Sequence, residues 1–237
     1  MDASIKKCSA FILDTLFPIE CVGCKQEGEW ICDACARKVS IVQQVNCAVC
    51  KKSSPRGDTC FSCQEDFPIA RLVRFFDYDE PVVKEGIRIA KYSYVKEIFR
   101  YFSEIALPYL APVFEGGDLD PRALVFVPVP LHPRRMRERG FNQAELIGER
   151  FAQQLGAQLS RALVRTRCTL SQAGMDEADR TVNIKRAFRC TDPIAIDGRY
   201  TILVDDVATT GSTLAECARV LKDAGARQVW ALALAKG

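Results

Sequence analysis

A chain of 237 residues, 48% hydrophobic and 27% charged, carries enough apolar side chain to bury a core of its own, which excludes a disordered class. Its net charge of +3 is too small for a global field that gathers nucleic acid. No uncharged apolar run approaches the roughly 18 residues that a bilayer span requires, so a cytoplasmic protein without membrane insertion is expected.

At the start, Lys6 and Lys7 precede an apolar Ala10 to Leu13, and Asp14 stops that run far short of a secretory core. Cys8 falls at helical spacing with Ile5, Phe11, Ile12 and Leu16, which predicts a buried position on a helix. Eight of the twelve cysteines then form four C-x-x-C pairs: Cys21/Cys24, Cys32/Cys35, Cys47/Cys50 and Cys60/Cys63. Two thiolates three positions apart on a tight turn supply half of a tetrahedral zinc shell, so four pairs predict two structural zinc ions. A disulfide framework is disfavoured in a reducing compartment, and a redox C-x-x-C would stand alone. The short spacers Cys24 to Cys32 and Cys50 to Cys60 favour joining neighbouring pairs, and a crossed arrangement stays open. Few aliphatic residues lie between these knuckles, so metal binding is expected to supply their folding energy. Trp30 is expected to shield a knuckle, and Phe61 and Phe67 to pack against one. Cys168, Cys190 and Cys217 have no partner pattern and read as core thiols.

The texture changes near residue 70, which predicts two domains, 1–70 and 71–237. Leu72 to Tyr78 reads as a strand, and Pro81 opens a helix with Val82, Val83, Ile87 and Ala90 on one face. A second helix is predicted from about Val95 to Leu107. Phe114 to Pro121, with Gly116 and Gly117, reads as a loop. Ala123 to Val129 reads as a strand buried on both faces. Asn142 to Gly156 is helical, with Ala144, Ile147, Phe151 and Leu155 inward. Tyr200 to Val204 is a second buried strand, Leu214 to Asp223 a helix closed by Gly225, and Val229 to Leu234 a last strand. The alternation predicts an α/β fold with a mainly parallel sheet flanked by helices.

The most informative stretch is Thr201 to Thr213, TILVDDVATTGST. An apolar strand is predicted to end in Asp205 and Asp206, followed by a hydroxyl-and-glycine loop that opens a helix. Ligands of open α/β sheets bind outside the carboxyl ends of strands. Backbone N–H groups of the loop and the helix N-terminus favour an anion there. Thr209, Thr210, Ser212 and Thr213 can donate to phosphate oxygens, while Gly211 lets the backbone come close. Paired acids beside a phosphate cradle suit a sugar diol, so a ribose 5-phosphate is the expected ligand. The stretch is not a P-loop, since no Gly-Lys-Ser/Thr occurs, and no G-x-G-x-x-G marks a dinucleotide site. An acidic strand end with a Ser/Thr helix cap is the plainer alternative.

This stretch resembles the phosphoribosyl pyrophosphate (PRPP) signature of type I phosphoribosyltransferases. Val127 to Pro133, Arg139 to Ala144, and Gln172, Arg180, Asn183 and Phe188 resemble the ComF family in order and spacing. The resemblance implies a double zinc ribbon followed by a type I phosphoribosyltransferase fold. It implies that Asp205 and Asp206 hold the ribose hydroxyls, and that Ala208, Thr209, Thr210, Gly211, Ser212 and Thr213 cradle the 5-phosphate. Pro128, Val129, Pro130 and Leu131 would form the pyrophosphate loop. Gln172 to Lys185 would be a closing loop whose Arg180 and Lys185 neutralise the leaving pyrophosphate beside Mg²⁺. It further implies PRPP as ligand, a nitrogen nucleophile as acceptor, links to DNA uptake and to competence proteins, and a homodimer as the frequent state of type I relatives. A second reading is a single-stranded-DNA-binding accessory using Arg134, Arg135, Arg137 and Arg139, with a solvated loop as the plain account of that run. A PRPP sensor without transfer is the third. His132 follows the pyrophosphate loop and can touch phosphate, and Lys91-Tyr92 ends a helix with no role assigned.

Overall fold

The computed structural model describes residues 18–42, 46–114, 120–167 and 184–237. Cys8, Gly116, Gly117, Cys168, Gln172, Arg180 and Asn183 therefore lie outside the described residues. In chain order the elements are α1 (Asp33–Ala36), β1 (Arg71–Asp77), α2 (Pro81–Tyr92), α3 (Lys96–Ala106) and α4 (Ala111–Phe114). Then come β2 (Leu124–Pro128), α5 (Pro133–Arg139), α6 (Gln143–Leu155), β3 (Gln158–Leu159), β4 (Leu163–Arg165) and β5 (Phe188–Cys190). The last three are β6 (Tyr200–Ala208), α7 (Ser212–Asp223) and β7 (Gln228–Lys236).

Five strands form one sheet in the order β1-β7-β6-β2-β3, and every neighbouring pair runs parallel. The α/β fold with a parallel sheet is thus the one the sequence predicts. Its apolar strands have both faces covered. Phe126, Ile202, Val204 and Leu232 pack with α2, α3 and α6. The alternate residues Val125, Val127, Leu203 and Ala231 pack with α7 and with the β4–β5 pair. Strand side chains alternate between faces, so an uninterrupted apolar run is what a sheet between two helical layers requires. Each large side chain buried in this way contributes about 1.5–3 kcal/mol. Trp230 joins this core, its ring stacked on Phe114 at 5.4 Å.

Local signals set the helix starts. The Glu80 carboxylate accepts from the Val83 N–H at 2.9 Å ahead of Pro81, and Asn142 accepts from Ala144 N–H at 3.1 Å ahead of α6. The arginine run, for which a solvated loop is one of two accounts, is helical. His132 Nδ1 accepts from the Arg134 N–H at 3.2 Å, Pro133 takes the first helical position, and Gly140 closes α5 in the left-handed region.

The cysteine-bearing segment is attached to the sheet at both of its knuckle pairs. Val22, Ile31 and Val39 are buried in the same cluster as α2 and β1, so the first pair leans on the sheet's own core rather than on metal alone. Few aliphatics were needed because these three pack outward onto a ready-made surface. Trp30 packs against the same cluster. At the second pair, Thr59 N–H donates to Ala70 O at 2.8 Å and its hydroxyl to Ile69 O at 2.6 Å. Arg71 donates through Nε to Asp58 Oδ1 at 2.6 Å and through Nη1 to Val113 O, and places its guanidinium 4.4 Å from the Trp230 ring. Phe61 does not pack against a knuckle as expected, being 90% exposed.

Candidate functional site

The site follows from unequal strand lengths. β6 pairs with β2 only as far as Val204, opposite Pro128, but with β7 as far as Ala208, opposite Lys236. The strand therefore does not end at the two acids, as the sequence suggests. It runs two residues past them, to Ala208, because β7 continues alongside, a partner that a local pattern cannot reveal. Over those residues one flank of β6 has lost its neighbour. The chain after β2 makes one more bond, Val129 N–H to Val204 O at 2.9 Å, and turns away. Asn142 holds that turn, its Nδ2 donating to Val129 O at 3.1 Å. The divergence opens a cleft of about 410 Å³ at the carboxyl end of the sheet.

Asp205, Asp206, Ala208, Thr209, Gly211, Ser212 and Thr213 line this cleft from one side, and Val129, Pro130 and Leu131 from the other. Strand alternation sends the two acids to opposite faces of the sheet. Asp206, 4% exposed, lies on the α2 side, where the Lys91 ammonium comes within 2.6 Å of its Oδ2. That approach is off the hydrogen-bond axis, so Oδ2 has a charge partner and no aligned donor. Asp205 is half-buried on the α7 side, and its Oδ1 accepts the Asp206 N–H at 2.9 Å. Burial and the Asp206 charge push the Asp205 carboxyl up to about 8, against the pull of the Asp206 N–H and Lys91. On the same side the Cys217 thiol is raised by burial and by Asp205, as suits an inert core thiol. Gly211, with φ +80°, is the N-cap of α7, so that the helix N-terminus opens on the same cleft.

Other expected residues are placed differently. Thr210 lies on the far side of the loop, its Oγ1 2.8 Å from Ser212 Oγ, and lines a second cleft of about 980 Å³. Lys185 lines that second cleft and not the first. Pro128 ends β2 behind the lining. Of the four arginines, Arg135 and Arg139 line the acid cleft, Arg139 donating to Gln143 Oε1 at 2.9 Å, while Arg134 pairs with Glu138 at 2.9 Å. Arg137 and His132 do not line it. Tyr94 and Arg165 do, and the sequence reading passed over both. Lys91 and Tyr92 were singled out without a role, and both reach the cleft from the end of α2. Tyr92 is 72% and Tyr94 54% exposed, and Tyr94 holds φ +62°, a strained value for an aromatic residue.

The eight paired cysteines form two groups, Cys21/Cys24/Cys32/Cys35 and Cys47/Cys50/Cys60/Cys63, with all sulfurs of a group within 4.8 Å of one another. Neighbouring pairs are joined and no crossed arrangement occurs. Cys24 and Cys32 sulfurs stand 3.7 Å apart, and Cys50 and Cys60 sulfurs 3.5 Å. Four thiolates around zinc at ~2.3 Å stand ~3.8 Å apart along each tetrahedral edge, so both groups fit that ion. Burial pushes the Cys21 thiol up, but N–H groups of Cys32, Cys24 and Gly23 outweigh it and bring it down to about 6. Burial and the neighbouring sulfurs push Cys35 up to about 12. Gly23 is required at its knuckle, because a Cβ there would lie 2.8 Å from the Cys35 sulfur and 3.0 Å from Val82 on α2.

A double zinc ribbon domain family matches residues 12–66. Over 213 residues the chain is 37% identical to the DNA utilization protein YhgH of Escherichia coli, spanning 86% of this chain and 91% of that one. It is 30% identical over 223 residues to competence protein F of Haemophilus influenzae, spanning 91% and 90%. The chain belongs to the ComF family. Among solved structures the likeness is looser: phosphoribosylpyrophosphate synthetase from Mycobacterium smegmatis matches at 16% identity and TM-score 0.35, over 59% of this chain and 39% of that one. In this ComF protein no helix among the described residues is long and apolar enough to cross a membrane. Its chemistry-bearing residues gather at one end of the sheet, with the second cysteine group beside them across the loop that carries Thr209 and Ser212.

Proposed function

We propose that the cleft binds PRPP and that the protein transfers its phosphoribosyl group to a nitrogen nucleophile, in the service of DNA utilization. The observation that carries this reading is that both acids line one cleft with Ala208, Thr209, Gly211, Ser212 and Thr213. In this reading the 5-phosphate takes the loop N–H groups, the Thr209 and Ser212 hydroxyls and the positive end of α7. Asp205 and Asp206 accept from the ribose hydroxyls, and Val129 to Leu131 receive the pyrophosphate with Arg135 and Arg139 nearby. The two carboxylates are hard oxygen donors of the kind Mg²⁺ takes, and an Asp206 oxygen without an aligned donor suits such a group. Mg²⁺ would supply neutralisation of the charge on the pyrophosphate oxygens.

Transfer breaks the bond from the anomeric carbon to the pyrophosphate oxygen, and the electron pair leaves with pyrophosphate. The nitrogen lone pair forms the new bond to that carbon, and the nitrogen then gives up its proton. Positive charge grows on the ribose ring in between, where the negative charge carried by the acid pair stabilises it. Tyr92 and Tyr94 stand on the open side of the cleft, where an acceptor would enter. Lys185, which lines the neighbouring cleft, and Arg180 are the further cations this scheme assigns to the pyrophosphate.

Calorimetry with PRPP and Mg²⁺ tests the binding, and pyrophosphate release with a panel of amines and bases tests the transfer. A double substitution Asp205→Asn/Asp206→Asn is expected to abolish the heat without loss of fold. Equal binding by that variant, or no heat from the wild type, ends the proposal. Binding without pyrophosphate release on any acceptor leaves a PRPP sensor.

A second reading is favoured by α5, whose Arg135 and Arg139 line the mouth of the cleft, and by the names of the relatives, DNA utilization and competence proteins. We propose that α5 tracks the phosphates of single-stranded DNA. Affinity for a labelled single strand should then fall steeply with salt and weaken in Arg135→Ala/Arg137→Ala. Salt-independent binding removes this reading.

A further inference from the structure

The loop that forms the wall of the acid cleft is backed most closely by the Phe67 side chain. The Cβ position of Gly211 lies 3.4 Å from Phe67 Cζ and 3.7 Å from its Cε2, with Leu72 Cδ2 at 4.0 Å from the same point. The ring therefore bears on the loop backbone at the residue with φ +80°, where a glycine would otherwise be free to relax. Phe67 is itself held at both ends. Its N–H donates to the carbonyl of Cys63, the last cysteine of the second group, at 3.0 Å. Two residues on, Ile69 O accepts the Thr59 hydroxyl at 2.6 Å, and Thr59 immediately precedes Cys60. The ring thus stands between two ligand-bearing turns of the second group on one side and the loop on the other. Its remaining surface faces the second cleft, which shares Thr209 and Ser212 with the first.

We propose that Phe67 is a positioning residue. It holds the Ala208–Gly211 backbone in the conformation that receives an anion, and so carries the rigidity of the second cysteine group to the 5-phosphate end of the bound sugar. This rests on the PRPP reading of the cleft. The physical reason is preorganisation: converging N–H groups favour an anion most when the backbone need not be ordered on binding. The pyrophosphate end is held by a different device, the Asn142 side chain on Val129 O, so the two ends of the ligand respond to Phe67 unequally.

The test is calorimetry of the full chain with ribose 5-phosphate and, separately, with pyrophosphate and Mg²⁺. Wild type, Phe67→Ala and Phe67→Leu are compared, each with its melting temperature. Phe67→Ala is expected to weaken ribose 5-phosphate by about tenfold and leave pyrophosphate unchanged. Phe67→Leu, which fills space without the ring edge, should fall between wild type and Phe67→Ala. A purely structural role would weaken both ligands together. Wild-type affinity for ribose 5-phosphate in Phe67→Ala, or equal loss of both ligands, overturns the inference. If Phe67→Ala does not fold, Phe67→Leu decides, a loss confined to ribose 5-phosphate supporting it and no loss overturning it. A wild type that binds neither ribose 5-phosphate nor PRPP sinks the PRPP reading and this inference with it, whereas binding that ignores position 67 sinks the inference alone.

Discussion

The two cysteine groups share a ligand set and a spacing, yet they lean on different parts of the molecule. The first has Cys21 and Cys35 buried among Val22, Ile31 and the α2 side of the sheet, with Gly23 pressed between a sulfur and Val82. The second buries only Cys47 and is joined by Thr59, Asp58 and Phe67 to the start of β1 and to the loop at Gly211. Identical chemistry thus serves two ends. One group completes a core, and the other bears on the loop that lines the acid cleft. A ribbon is therefore best understood from what it touches, since its ligands alone would not separate the two.

Substitutions can break that comparison, and the largest effect is expected at the first group. Cys35→Ser should lower the melting temperature steeply, by an amount equivalent to several kcal/mol, because a structural zinc supplies on the order of 10 kcal/mol and its loss here also unseats part of the main core. Cys63→Ser should cost less stability and more ligand affinity, read by thermal melting beside ribose 5-phosphate calorimetry. Equal melting losses with equal affinities in the two variants would erase the distinction.

A smaller effect of opposite sign is expected inside the cleft. The folded pKa of Asp205 is raised to about 8, above the ordinary carboxylate value, so its protonated form is the one the fold favours. That contribution is fully present below the unfolded pKa and is lost as pH rises through the folded one. Asp205→Asn should therefore raise the melting temperature at pH 8 relative to wild type, and the gain should vanish near pH 4. A gain that is the same at both pH values would show that the carboxylate charge is not its source. The smallest effect belongs to a pair remote from both cysteine groups, Glu104 on α3 with Arg150 on α6 at 2.5 Å. Glu104→Gln should cost about 1 kcal/mol or less by chemical denaturation, as partly exposed ion pairs do. A loss as large as that of Cys35→Ser would mean that the α3–α6 contact matters to stability as much as the first cysteine group.

Much of this was legible in the sequence. Four C-x-x-C pairs announced two metal groups, and the apolar run before Asp205 announced a strand buried on both faces. The strand's extension to Ala208 was not legible, because β7 imposes it from across the sheet. Nor was the helix at Pro133–Arg139, whose start depends on His132 acting as a cap rather than as a phosphate ligand. Lys91 reaches Asp206 from far along the chain, and only the packing of α2 on the sheet brings them together. The bearing of Phe67 on Gly211 is of the same kind, a contact between two segments that local pattern treats as unrelated.

The strand order has a consequence for how the chain is assembled. Among the described strands β1 is paired with β7, Arg71 standing opposite Trp230 about 160 residues later. While the polypeptide is being synthesised, the cysteine turns and the strand attached to them emerge long before that partner exists. Metal capture by the early segment would give it local order during the wait, and would keep an unpaired strand edge from meeting other nascent chains.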